Sequence, residues 1–378
     1  MFNQLTNMPN LPNSLTYLDC SYNYQLTTFL NLPDSLTYFD CTYNNLTSLP
    51  NFPNSLINLI CNHNQIANFT NLSNSIINVE CSYNQLASLP NLPNSLIALK
   101  CDVNQITSLP NLPNSLSYLA CNSNQLTSLP TLPNSLGLLE CSNNQLISLP
   151  TLPNSLFSLG CSNTHISLPI LPTSLRYLDC SSNQYTSLPS LPSLPDSLET
   201  LYCYYNQLTS LPALPNSLTT LICHDNQLVS LPILPNSLTE LYCQENKVLC
   251  LPQLPTTLTK LFFGNNKVSC IPNTIALNAT INPKLSLCNP TNNPNGCISF
   301  PLIQGNVYTD TNTNNKWDNG EFGRERIKIS LANGTSTFTH KNGFYEISAD
   351  SIGAYTVSIR KPNLYSAIPA SFAHNFNK

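Results

Sequence analysis

Cys61–Pro90 reads CNHNQIANFTNLSNSIINVECSYNQLASLP, and close copies of its unit recur from near residue 10 to about residue 270. A fixed repeat period overrides any domain count taken from the length of 378 residues. Aligned on cysteine, the register runs through Cys20, Cys41, Cys61, Cys81, Cys101, Cys121, Cys141, Cys161, Cys180, Cys203, Cys223 and Cys243, with Phe263 in the last slot. The step is 20 residues in nine of twelve intervals. An extra residue in SYNYQL, one lost near Thr164 and an added SLP in SLPSLPSLPDSL account for the steps of 21, 19 and 23. Thirteen units result.

Each unit follows LxxLxCxxNxLxxLPxLPxS, as in Leu96, Leu99, Cys101, Asn104, Ile106, Leu109 and Leu112. Leu99 and Cys101 alternate with polar neighbours, the period of a short strand with one buried face. The following LPxLP is neither helix nor inner strand, because proline fixes its dihedral, lacks an N–H and pushes the preceding residue to extended geometry. A unit is therefore a strand, a turn and an extended return. One unit alone buries too few side chains to offset the entropy of ordering it, so the array is stable only when stacked.

This pattern resembles the leucine-rich repeat, LxxLxLxxNxL, with cysteine in place of the third apolar residue. The LPxLP return and the 20-residue unit resemble the short LPX-type bacterial class known from secreted effectors. The resemblance implies that Asn104, Asn124, Asn144 and their equivalents hydrogen-bond the backbone of adjacent turns as a ladder. Thr164 interrupts it, so an irregularity is expected around residues 161–168.

Charged residues make up only 8% of the chain. Residues 1–275 hold 5 Lys/Arg against 12 Asp/Glu, a balance of 5 − 12 = −7, and residues 276–378 hold 9 against 6, a balance of 9 − 6 = +3. Neither part has the dense basic patch that a phosphate backbone requires, which argues against nucleic acid. No run of 18 apolar residues is present, so no membrane-spanning segment is expected. MFNQLTNMPNLPNSL lacks the basic and apolar regions of a secretory signal, so a secreted form is expected to have begun further upstream.

Twelve thiols in one register point into the core as small apolar residues. Equivalent Cβ atoms on neighbouring strands lie about 5 Å apart and parallel, beyond the ~3.8 Å of a disulfide. Cys250, Cys270, Cys288 and Cys297 lie off this register. Two disulfides are expected there, with Cys288–Cys297 and Cys250–Cys270 the favoured pairing among three, and they imply an oxidising compartment.

The variable residues beside the buried Leu and Cys positions face the concave side. At the N-terminal end they include Tyr17, Asp19, Tyr22, Tyr38, Asp40 and Tyr43, with Glu80 and Tyr83 beyond. At the C-terminal end they include Tyr177, Asp179, Tyr202, Tyr204, Tyr205, Asp225, Glu240, Tyr242 and Glu245, with His224 among them. Tyrosine with scattered acids suits a rigid recognition surface, since it offers contact area with few rotors to freeze. Tyrosine is also simply favoured on an exposed sheet. The middle, around Ala120, Ser142 and Gly160, reads as small and plain. No catalytic constellation stands out, and the five histidines are scattered.

Near residue 300 the leucine period stops, and alternating runs RIKISLA, STFTH, GFYEIS and AYTVSIRK indicate a β-sandwich. Asp310, Asn312, Asn314, Asp318 and Glu321, with the Lys316 carbonyl, take the spacing of a Ca2+ loop of the EF-hand kind. GxVYxDxNxNxxxDxGE with GFYEIS and AYTVSI resembles the SdrD B-like (Cna-B-related) modules of bacterial surface proteins, which implies a calcium-stiffened spacer.

The expectation is a leucine-rich-repeat solenoid (residues 1–275), a cysteine-bearing cap and linker (276–300) and an Ig-like β-sandwich with a Ca2+ loop (301–378). Its expected function is non-enzymatic recognition or adhesion, extracellular or at the cell surface. A monomer would bind a protein or glycan ligand on the concave face. Two alternatives are a secreted LPX-type effector acting in a host cell and a purely structural matrix protein.

Overall fold

The computed structural model describes residues 5–29, 31–69, 71–164, 166–185, 194–273, 279–288, 292–297, 302–307, 328–331, 336–338, 344–348, 356–360 and 372–373. By internal contacts the chain forms two compact units. One comprises Met1–Val248, Pro255–Asn266 and Ile275–Pro283, the other Leu249–Leu254, Lys267–Thr274 and Lys284–Lys378.

The first unit holds a 14-stranded parallel sheet in sequence order. Its strands are β1 (Tyr17–Asp19), β2 (Tyr38–Asp40), β3 (Asn58–Ile60), β4 (Asn78–Glu80), β5 (Ala98–Lys100), β6 (Tyr118–Ala120) and β7 (Leu138–Glu140). They continue as β8 (Ser158–Gly160), β9 (Tyr177–Asp179), β10 (Thr200–Tyr202), β11 (Thr220–Ile222), β12 (Glu240–Tyr242), β13 (Lys260–Phe262) and β14 (Thr280–Asn282). Equivalent residues pair in register, as Ala98 with Tyr118 and Lys100 with Ala120. The strands are short because only the central residue, such as Leu99 or Leu119, enters the core, before the buried cysteine closes the stretch. Phe263 fills the last cysteine slot and is 1% exposed.

Two residues after each cysteine the chain turns through left-handed geometry, at Tyr22, Tyr43, His63, Tyr83, Val103 and onward to Asn265, with φ between 50° and 60°. The turn aims the next residue, asparagine, back at the backbone. Asn124 Oδ1 accepts from the Ile106 N–H at 3.0 Å, and its Nδ2 donates to the carbonyls of Cys101 at 3.0 Å and Cys121 at 3.1 Å. The same three-way bond recurs at Asn84, Asn144, Asn226 and Asn246. A second ladder lies on the return side, where the serine of LPNSL reaches the preceding unit. Ser115 Oγ donates to Leu96 O at 2.6 Å and Asn94 O at 2.8 Å, and Ser95 and Ser135 repeat the pattern. Proline begins that turn, with Pro113 O accepting from the Leu116 N–H at 3.1 Å.

Thr164 is the expected irregularity. Its hydroxyl keeps the bond to Cys161 O at 2.7 Å, and its N–H donates to Asn183 Oδ1 at 2.8 Å. Lacking an amide, it has no second donor for the preceding turn. There the Ile147 N–H bonds Thr127 O at 3.2 Å.

The ladder cysteines are buried free thiols, and burial raises their pKa, to about 12 at Cys20, Cys203 and Cys243. The four remaining cysteines pair differently from expectation: Cys250 with Cys297, and Cys270 with Cys288. Cys250 and Cys270 sit at equivalent points of consecutive turns, and each pairs instead with a cysteine of the segment that follows the repeats. Ile271 bridges Leu287 in parallel, and the Cys288 N–H bonds Ile271 O, which lays Cys288 beside Cys270. Asn295 Nδ2 donates to Lys267 O at 2.9 Å, turning Cys297 in towards Leu249 and Cys250.

Towards the C-terminus, β15 (Leu302–Asn306) pairs antiparallel with β18 (Phe344–Ser348). Strands β16 (Lys328–Leu331), β17 (Ser336–Phe338), β19 (Thr356–Arg360) and β20 (Phe372–Ala373) form a sheet in the order β17-β16-β19-β20. Of the expected Ig-like β-sandwich, the described strands establish antiparallel pairing alone. The expectation of Ca2+ as a cofactor is overturned: among the described residues no group of three or more His, Cys, Asp or Glu is placed to hold a metal ion. The residues expected as ligands, Asp310, Asn312, Asn314, Lys316, Asp318 and Glu321, lie outside the described residues.

Replacing Asn124 by alanine strips the Ile106 N–H of its acceptor and two carbonyls of a donor. Urea unfolding should show a loss of about 2–4 kcal/mol, whereas an unchanged midpoint would refute the ladder. In the native protein the twelve ladder thiols should resist an aromatic disulfide reagent until the chain unfolds. Peptide mapping without reduction should return Cys250–Cys297 and Cys270–Cys288; rapid native labelling or another pairing would contradict the structure.

Candidate functional site

On each strand the buried central residue leaves its two neighbours on the opposite, solvent-facing side. The residues one and two places after the cysteine extend that face, so a unit contributes four variable side chains. For a residue other than glycine, left-handed geometry costs about 1–2 kcal/mol. No glycine occupies this turn position in any unit from Tyr22 to Asn265.

At the N-terminal end the predicted residues come together as two aromatic columns. Tyr17 and Tyr38 stack at 4.4 Å and 6° between planes. At the left-handed positions Tyr22, Tyr43, His63 and Tyr83 form one continuous stack, with centroids 4.8, 4.0 and 4.2 Å apart and planes within 18°. Asp19 and Asp40 stand between the columns. One oxygen of each is held within its own turn: Asp19 Oδ1 accepts from the Ser21 N–H at 3.0 Å and Oγ at 2.7 Å, and Asp40 Oδ1 from the Thr42 N–H at 2.9 Å. Burial, then the Asp40 charge, pushes the Tyr38 phenol up to about 12. Burial lowers the His63 pKa, favouring a neutral ring in the stack.

The second cluster gathers Tyr177, Tyr202, Tyr204 and Tyr205. Tyr177 meets Tyr202 edge-on at 5.4 Å, Tyr204 stacks on His224 at 4.7 Å, and Tyr205 meets the same His224 edge-on at 5.5 Å. His224 Nδ1 lies 2.7 Å from Asp225 Oδ2. Asp179 Oδ1 accepts from Ser181 Oγ at 2.6 Å and from its N–H at 3.0 Å. Further along, Tyr242 stacks on Phe262 at 4.8 Å, and Glu240 pairs with Lys260 at 2.8 Å. Tyr205, Asp225 and Glu245 line an open depression of about 470 Å³ together with Gln184, Gln207 and Gln227.

The middle of the face is not plain. Ala120, Ser142, Ser158 and Gly160 are buried, and Glu140 lies against Gly160, where a Cβ would collide with its carboxylate. Burial and then the charges of Asp179 and Asp102 push the Glu140 carboxyl up to about 7. Just before the recess, Glu80 pairs with Lys100 at 3.0 Å, and the Lys100 ammonium lies 5.6 Å from the Tyr118 ring. A third ladder crosses the region: Ser82 Oγ accepts from the Asp102 N–H, Asp102 Oδ1 from the Asn122 N–H and Asn122 Oδ1 from the Ser142 N–H.

Sequence reasoning missed His63 and Glu140. His63 occupies the same place in its unit as Tyr43 and Tyr83, so the repeat register would have found it. The Glu140 recess follows only from pairing Glu140 with Gly160 across adjacent strands.

Among the described residues no helix is long and apolar enough to cross a membrane. The family model "Leucine Rich repeats (2 copies)" matches residues 173–216. A search of curated proteins found no match. Among solved structures, YopM from Yersinia enterocolitica WA-314 is 36% identical with a TM-score of 0.70, over 73% of this chain and 61% of that one. YopM from Yersinia pestis, described as a leucine-rich effector protein, is 33% identical with a TM-score of 0.69, over 75% of this chain and 81% of that one. The functional domain of InlJ from Listeria monocytogenes, described as including a cysteine ladder, shares the fold at 20% identity and a TM-score of 0.55, over 92% of this chain and 88% of that one. With its strand, asparagine ladder and extended return repeating every 20 residues, and with YopM matched at this identity and coverage, the chain belongs to the leucine-rich-repeat family.

Proposed function

We propose that this chain is a non-enzymatic bacterial recognition protein, secreted or displayed at the surface, that binds a protein or glycan through its concave face. Its antiparallel C-terminal strands are read as a spacer. The observation that carries this reading is the column Tyr22–Tyr43–His63–Tyr83. Asn143, Asn163 and Asn265 fill the same left-handed position, and asparagine tolerates that geometry better than tyrosine. The aromatic choice is therefore not one that the turn requires. Glu140 supports the same reading, because a half-buried carboxyl among like charges burdens the fold and is the kind of residue kept for function.

A second reading, an effector acting inside a host cell, is favoured by the likeness to YopM, described as an effector. The two disulfides favour the first, since such bonds persist in oxidising surroundings.

Labelled protein should bind cultured animal cells. Replacing Tyr22, Tyr43, His63 and Tyr83 together by asparagine should reduce that binding about tenfold while the repeat array still unfolds cooperatively. Equal binding by a folded variant would defeat the proposal.

Glu140 also sets a pH dependence. Its pKa in the folded protein, about 7, lies above the ordinary 4.5, so the folded state holds a proton that the unfolded chain releases. The contribution of this group to stability is therefore fully favourable below pH 4.5 and is lost as pH rises through 7. Glu140→Gln should melt higher than the parent at pH 8 and level with it at pH 4; a difference that does not change with pH would contradict this placement.

A further inference from the structure

The charges of the concave face do not balance. The lysines at its strand positions, Lys100 and Lys260, are each bonded to a glutamate, Glu80 and Glu240. Among the described residues, none of Asp19, Asp40, Asp102, Glu140, Asp179 and Glu245 forms an ion pair with Lys or Arg. The bonds that Asp40 and Asp179 receive from their own turns engage Oδ1 of each. Glu140 stands in the recess made by Gly160, on β7, two strands from Asp179 on β9. Strand spacing puts their Cα atoms about 10 Å apart, and the Glu140 carboxylate, lying over Gly160 on the strand between, reaches towards Asp179.

The longer aromatic column leaves little surface for one class of occupant. In the stack from Tyr22 to Tyr83 the planes are nearly parallel and the rings 4.0–4.8 Å apart, so the inner rings turn their faces to each other and their edges to solvent. A sugar ring packs on an aromatic face, and within this stack the inner faces are already covered. What remains open is a row of ring edges and hydroxyls beside carboxylates, which suits a flexible cationic chain.

We propose that the concave face receives an extended basic polypeptide segment lying across the strands, with an arginine or lysine side chain placed on the Glu140 carboxylate, which itself fills the space over Gly160, and a second against Asp179. This inference rests on the recognition reading above and names the chemistry of its ligand. The partner is a protein with an exposed Arg/Lys-rich stretch, and the two aromatic clusters flank the basic side chains that Glu140 and Asp179 hold.

The test uses the full chain and fluorescein-labelled hepta-arginine, with maltoheptaose as a neutral glycan probe. At pH 8, where Glu140 is largely ionised, Glu140→Gln/Asp179→Asn keeps every acceptor oxygen used within the fold and removes two charges from the face. Asp34→Asn/Asp196→Asn removes two charges from exposed return turns, where asparagine is the usual residue of LPNSL. The face pair should weaken hepta-arginine binding about tenfold and the turn pair less than about twofold. An equal loss in both pairs would reduce the effect to net charge and overturn the proposal. If maltoheptaose binds, and loses affinity when the column from Tyr22 to Tyr83 is replaced by asparagine but not in the face pair, recognition stands and the basic ligand falls. If neither set of substitutions changes the binding of either probe, the recognition reading fails as well.

Discussion

The structure depends on one constraint, the satisfaction of backbone groups at a turn that recurs every 20 residues and is buried on both sides by its neighbours. A buried turn leaves N–H and C=O groups without strand partners, and each left unpaired would cost about 1–3 kcal/mol. Asparagine solves this because its amide accepts and donates at once. Asn144 takes the Leu126 N–H and gives to Cys121 and Cys141, joining three segments of two units. To aim that amide inward the preceding residue must be left-handed, and every unit accepts that conformation without glycine. The serine of the return turn does the same for carbonyls on the other side. Backbone and small polar side chains thus hold the array, and the concave side chains are left free to vary.

Much of this was legible because the repeat samples each position many times. Leucine and cysteine marked the strand, the recurring 20-residue step fixed the register, and proline excluded helix from the return. The serine ladder escaped notice because Ser115 within LPNSL reads equally well as an ordinary turn residue; its bonds reach back 19 and 21 positions, which local pattern does not reveal. The left-handed position was also hidden, since Tyr, His, Val, Ser, Asn, Asp and Glu all occupy it and none signals positive φ as glycine does.

The misreadings concern contacts between segments that the period does not relate. Pairing Cys270 with Cys288 needs the parallel bridge between Ile271 and Leu287, a contact outside the repeat. The candidate face was legible at its tyrosine-rich ends and not in its middle. Small residues at 120, 142 and 160 suggested a blank surface, whereas Gly160 leaves the space in which the Glu140 carboxylate lies. A pattern of small residues says that space exists, and only strand register says which neighbour fills it.

Hydrogen exchange of the amides that donate to asparagine side chains tests the ladder most directly. The N–H groups of Leu86, Ile106, Leu126 and Leu228 should exchange as slowly as those of the strands, opening only when the array unfolds. Exchange at the rates of exposed loops, with the strands still protected, would show that the turns are not what holds adjacent units together.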